Sequence, residues 1–175
     1  MSREIQNEKQ FTDAYDAYSD AIFRYCYYRV FDRDKAKDYV QETFCRVWKY
    51  LVGGSKIDNI RPFLYKTANN LIIDESRKKK AISLDQVMEK GFSPGVDFRE
   101  KQQDYLTGKE IIAAIHGLEE KYKEVLLLKY VEDLSAKEIA SVTGETEDNV
   151  YVKIHRGLQK VKKAMAANEN KHFSS

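Results

Sequence analysis

Residues 134–165 read LSAKEIASVTGETEDNVYVKIHRGLQKVKKAM, and the fold can be worked outward from them. Ser135, with Glu138 three residues later, has the spacing of a capping box, in which each side chain satisfies a backbone N–H at a helix start. Ile139 and Val142 then supply an inward face, with the small Ala140 where a second helix can cross closely. Gly144 stands where a left-handed residue ends one helix and redirects the chain. A new apolar series, Val150, Ile154, Leu158 and Val161, recurs at helical spacing. Its other side carries Lys153, His155, Arg156, Lys160, Lys162 and Lys163. Two such helices meeting at a glycine turn describe either a helix-turn-helix, whose second helix fits a DNA major groove, or a plain helical hairpin.

The totals favour helix. The 175 residues include only two prolines and eight glycines, and a third are charged yet nearly cancel to +2. Where the charges lie therefore matters more than their sum. A hydrophobic share of 42% suits modest cores, in one domain or two small ones. Ser2 to Gln10 is polar and mixed in charge, unlike a signal peptide, and no apolar run approaches the ~20 residues of a membrane span. Cys26 and Cys45 stand apart, without a C-x-x-C or clustered histidines, which predicts two reduced, buried thiols and a cytoplasmic protein.

Phe11, Tyr15, Tyr18, Ile22 and Tyr25 predict a helix from about Phe11 to Val30. Asp34 is placed to cap the next, about Lys35 to Val52, with Ala36, Val40, Phe44, Val47 and Leu51 inside and Asp38, Gln41, Glu42, Arg46 and Lys49 on or near the other side. Pro62 suits the first turn of a third helix, whose buried stripe is Phe63, Leu64, Ala68, Leu71 and Ile72. That helix runs into Arg77-Lys78-Lys79-Lys80, cations favoured by the helix C-terminus and equally suited to nucleic acid. From Ala81 to about Gln103 periodicity disappears and acids outnumber bases, the pattern of an interdomain linker. Leu106, Ile111, Ile112, Ile115 and Leu118 resume the helical pattern, and Val125 to Leu128 with Tyr130 continue it around Lys121 to Val131. Residues after Ala167 are polar and predicted to fray. The fold expected is all-α: two small helical domains, 8–80 and 104–168, joined by a flexible linker, 81–103, with a helix-turn-helix in the second.

A catalytic reading finds no foothold. There is no phosphate-binding glycine loop, no H-E-x-x-H and no G-x-S-x-G. His116 falls at a helix end before Gly117, and the acid pairs Asp74-Glu75 and Glu119-Glu120 are adjacent, so their side chains diverge. No enzyme activity, cofactor, metal or small-molecule substrate is expected.

Three blocks carry a resemblance. Ala36 to Trp48 resembles the polymerase-binding helix of the extracytoplasmic-function group of bacterial sigma factors. Arg61 to Asp74, followed by Arg77 to Lys80, looks like that family's promoter-melting helix, and Leu118 to Leu158 is similar to its second DNA-binding domain. The blocks follow the family's order on both sides of a variable linker and span about Phe11 to Met165.

The resemblance implies a transcription initiation factor that binds core RNA polymerase and directs it to promoter DNA. Asp38, Gln41, Glu42, Phe44 and Trp48 would meet the beta-prime coiled coil, unless Phe44 simply faces the core, and the beta flap is a further implied contact. The loop Gly53 to Ile60 matches the family's specificity loop, and Asn70 an asparagine that contacts the single strand of the minus-10 element. Ser55, Lys56, Arg61, Tyr65, Lys66, Arg77, Lys78 and Lys79 complete that set, Tyr65 as a stacking surface or merely core. Thr146, Asn149, Tyr151, Lys153, His155 and Arg156 are the minus-35 candidates, although the family often has threonine, lysine, serine and arginine where this chain has Asn149, Tyr151, Val152 and Lys153. An anti-sigma partner is also implied. The alternatives are a stand-alone helix-turn-helix regulator, which leaves the Lys35–Val52 helix without a role, or a polymerase-binding adaptor, which leaves both basic helices without one.

Overall fold

The structure, a computed structural model, describes residues 2–83 and 103–174. Among them are seven α-helices and one π turn, with no strand, as the all-α expectation requires. They form two compact units, one holding the first three helices and the other the last four. The expected linker falls mainly on residues 84–102, outside the described residues; residues 81–83 belong to a helix.

In the first unit α1 spans Arg3–Val30, α2 Arg33–Val52 and α3 Ile60–Ser83. Helix α1 begins at Arg3 rather than Phe11, because the Ser2 hydroxyl caps it by accepting from the Ile5 N–H. Its polar first turns dock through side-chain amides, a kind of contact hydrophobic periodicity does not register. Phe31 closes α1 in the left-handed region at φ 49°, and Asp32, not Asp34, caps α2 by accepting from the Lys35 N–H at 3.0 Å. The core gathers Ile22, Tyr25 and Cys26 from α1, Ala36, Phe44, Val47 and Leu51 from α2, and Leu64, Tyr65, Ala68 and Ile72 from α3. Each large apolar side chain so buried contributes about 1.5–3 kcal/mol. A polar knot lies within it. The Arg29 guanidinium donates to both the Tyr25 hydroxyl and Asn69 Oδ1 at 2.6 Å, and the Tyr25 hydroxyl donates to the same Oδ1 at 3.1 Å. Cys26 is buried as expected, but Cys45 is exposed, since it lies on the side of α2 away from Val47 and Leu51.

In the second unit α4 spans Gln103–His116, α5 Glu120–Leu126, α6 Ala136–Thr143 and α7 Glu147–His172, with a π turn at Leu127–Val131. The wide turn is closed by the Glu132 N–H on the Leu127 carbonyl at 3.1 Å. Val125, Leu126, Leu127 and Leu128 are all buried, but Tyr130, grouped with them by sequence, turns out to solvent. The Ser135–Glu138 capping box is present in both directions, and Gly144 ends α6 at φ 73°, a conformation without penalty only for glycine. Val150, Ile154 and Val161 of α7 seat against this core with Leu134, Ile139 and Val142. At Gly157 a Cβ would fall 2.9 Å from Leu126 Cδ1, so the glycine is what lets α7 and α5 approach. The tail expected to fray after Ala167 is helical to His172. The expected core residue Leu106 has its side chain outside the described residues.

Candidate protein and nucleic-acid interfaces

Helices α1 and α2 leave an open groove of about 890 Å³ between them. Its aromatic wall comes from both helices: Phe11 meets Trp48 edge-on at 5.2 Å, and Tyr15 meets Phe44 at 4.9 Å. Phe44 is only 3% exposed, so it floors the groove and belongs to the core rather than standing free as a contact. Trp48 is half-buried, and Tyr15, which helical spacing groups with the apolar series of α1, is exposed. Asp38 and Gln41 share one face of α2 with Trp48 by their spacing, and both are exposed. Glu42 is exposed beside them. The Arg46 Nε donates to its carboxylate at 2.7 Å, which holds the Glu42 carboxyl below the usual range. The result is a stripe of acceptors bordering an aromatic groove.

The loop between α2 and α3 turns at Gly54, φ 90°, with Ser55 half-buried and Lys56 exposed. Three side chains of α1 reach the loop or the end of α2 that leads into it: Arg3 donates to the Gly54 carbonyl, Asn7 to Leu51 at 3.0 Å and Gln10 to Ile57 at 3.2 Å. On α3, Lys66, Asn70 and Arg77 recur at helical spacing on one exposed side, with Lys78 exposed next to Arg77 and Arg61 half-buried near the helix start. Tyr65 is not part of that side. It is 1% exposed and packs edge-on against Tyr25 at 5.5 Å, so of the two expected alternatives, stacking surface or core, it takes the core, and its place among the minus-10 candidates is corrected. Spacing alone could not decide, because tyrosine suits either environment. Lys79 is tied back to Glu75 at 2.9 Å. The same carboxylate accepts from the Tyr39 hydroxyl and lies 3.7 Å from Lys35. Those contacts, the Tyr39 hydroxyl first and Lys79 second, hold the Glu75 carboxyl low.

On α7, Asn149, Tyr151, His155 and Arg156 are exposed. The Thr146 oxygen accepts from the Asn149 N–H at 3.2 Å, so this exposed residue caps the helix. Lys153 is also held back: half-buried, its ammonium is paired with the Glu145 carboxylate in the turn. Val152 is 45% exposed and stands between Asn149 and Arg156 on the outward face. Its offset of two from the buried Val150 already places it there, although its side-chain type suggests core.

Region 2 of sigma-70 matches residues 14–82, and region 4 of sigma-70 matches residues 108–161. The chain belongs to the sigma-70 family. Within that family it falls in the extracytoplasmic-function group. It is 27% identical to the extracytoplasmic-function sigma factor SigW of Bacillus subtilis over 91% of this chain and 90% of that protein. It is also 27% identical to SigM of the same organism, over 86% and 91%. The fold is shared with the sigma factor RpoE of Bartonella quintana, solved with the anti-sigma factor NepR, at a TM-score of 0.74 and 17% identity over 90% of this chain and 98% of that one. It is shared too with CnrH, solved with the cytosolic domain of CnrY, at 0.68 and 19% over 91% and 90%. In this sigma factor the groove, the loop and the α3 face lie almost wholly in the region 2 match, and the α7 face in region 4. Residues 3–13, including Arg3, Asn7 and Gln10, precede both. No helix of the described residues is long and apolar enough to cross a membrane.

Proposed function

We propose that this sigma factor binds core RNA polymerase through α2, opens the minus-10 element with α3 and the loop before it, and reads the minus-35 element with α7. The observation that supports this most is the division of exposed chemistry among three helices. Helix α2 keeps Asp38 and Gln41 exposed near Trp48, an acceptor stripe suited to a basic partner surface. Helix α3 keeps Lys66, Asn70, Arg77 and Lys78 exposed, with cations to neutralise phosphates and an amide to pair with an unstacked base. Helix α7 keeps Asn149 and Arg156 exposed on one face, side chains whose donors suit adenine and guanine edges in a major groove.

The partners are then the beta-prime coiled coil for α2, the beta flap for the second unit, and promoter DNA for both units. An anti-sigma factor is proposed as a further partner, by likeness to the RpoE–NepR and CnrH–CnrY pairs. The protein acts by binding in the cytoplasm, where its polymerase is, and bond formation belongs to the polymerase. Transcription from a promoter library with sigma-free core polymerase tests the reading. Specific initiation dependent on the added protein is expected; folded protein that binds core yet directs no initiation refutes it.

A further inference from the structure

The polar start of α1 lies ahead of the region 2 match, and three of its side chains converge on one short segment. Arg3, Asn7 and Gln10 recur at spacings of four and three, so they form one stripe along the helix. Each donates to a carbonyl at or just beyond the end of α2: Gly54, Leu51 and Ile57. Leu51 is a helix-end carbonyl, one of those that lack an intrahelical partner, and it also accepts from the Gly54 N–H at 3.1 Å. The Arg3 guanidinium lies 3.4 Å from where a Gly54 Cβ would stand, so it covers the left-handed turn as well as bonding to it. The segment's N–H groups at Gly53, Gly54 and Ser55 return to Lys49, Leu51 and Tyr50. Its carbonyl side is thus held by α1, and its amide side by α2.

We propose that Asn7 and Gln10, with Arg3 as an outer strut, are positioning residues that preset the 53–59 loop for promoter recognition. This rests on the reading that the loop engages the minus-10 element. A loop of this length, rich in glycine and polar groups, samples many conformations unless its backbone is pinned. Pinning it before DNA arrives removes an ordering cost from the binding step and favours the one shape that accepts the correct base. Arg3 and Gln10 bond to loop carbonyls and Asn7 to the helix-end carbonyl that leads into the loop, so these hydrogen bonds engage no loop side chain.

The test uses the full-length chain with core polymerase and two promoters that differ in the minus-10 element alone. The isosteric pair Asn7→Asp and Gln10→Glu keeps side-chain shape while removing both donors, and Asn7→Ala with Gln10→Ala provides a second variant that keeps helix propensity. Core affinity should stay within about twofold, while opening of the preferred promoter falls about tenfold and discrimination between the two promoters narrows, the loss expected for two hydrogen bonds. Amide exchange at 54–59 should accelerate. A parallel variant, Ser55→Ala with Lys56→Ala, tests the underlying reading. If that variant leaves discrimination intact, the assignment of the loop to the minus-10 element falls and the proposal falls with it. If it narrows discrimination while the α1 variants do not, the bracing role alone is overturned. Loss of core affinity in step with opening would likewise overturn it, by showing that α1 supports the unit as a whole.

Discussion

Helices α3 and α7, both proposed to meet DNA, are mounted by opposite means. Each turns a cation-bearing side outward, and each must be held at one rotation about its axis for that side to face DNA. Helix α3 is fixed by a polar knot, Asn69 accepting from Arg29 and Tyr25 inside an otherwise apolar core. Rotation would take the Asn69 oxygen away from two buried donors at once, so the penalty is steep and specific. Helix α7 has an aliphatic seam, and its setting depends on the close approach at Gly157 and the left-handed turn at Gly144. Apolar packing tolerates small slips better than a hydrogen-bonded knot does. The helix proposed to capture a flipped base therefore has the stiffer mounting, and the one proposed to lie in a groove has the more forgiving one.

The contrast can be broken first at Asn69. Asn69→Ala leaves Arg29 and Tyr25 without their shared acceptor and should cost the first unit about 3 kcal/mol. Trp48 is the chain's one tryptophan and lies in that unit, so denaturation followed by its fluorescence isolates the effect. Asn69→Asp, which offers Arg29 a carboxylate, should lose less; equal losses would mean that the knot is not what holds α3. Next is Gly157→Val, where the added side chain meets Leu126 and should cost the second unit about 2 kcal/mol. Amide exchange along α7 should rise while the Trp48 transition stays put.

A third experiment concerns the cations. Arg77→Ala with Lys78→Ala should lower the salt dependence of promoter binding by about two units in slope, near 0.9 per phosphate contact. Adding Lys79→Ala should change it little further, because Lys79 is already engaged by Glu75. A full third step would show that the ion pair opens on DNA.

The smallest effect is in pH. Burial, with Lys123 nearby, keeps the His116 imidazole below its ordinary value near 6.5, whereas hydrogen bonds keep the Glu75 carboxyl below its ordinary 4.5. In both cases the unfolded chain takes up the proton first, so each contribution is present above the ordinary value and lost as pH falls. The second unit should soften below about pH 6.5 and the first only below about 4.5. Melting curves of His116→Gln should lose the earlier step alone.

Much of this was legible from the residues. The Ser135–Glu138 box, the Gly144 turn and the Val150–Ile154–Val161 seam are local patterns, and local physics suffices to read them. What was not legible depends on distant partners. The first turns of α1 look unstructured because their anchors are carbonyls more than forty residues away. Tyr65, which spacing leaves open, is buried, and Tyr15, which spacing groups with the apolar series of α1, is exposed: which tyrosine is buried depends on how three helices cross. Lys153 counts as a free cation in sequence and is neutralised by Glu145 in the fold.

The wide turn at Leu127–Val131 has a consequence for how such chains are compared. A π turn carries one residue more than the helix around it, and one residue is about 100° of phase. It lets four successive apolar residues, Val125 to Leu128, point inward where a regular helix would send some of them out. Deleting Lys129 should restore regular winding and throw the chain toward α6, with the buried Leu134, out of step. A relative built without the wide turn must be one residue shorter there. The trace it leaves is a single-residue gap in an alignment, inside a helix, where gaps are usually taken for error.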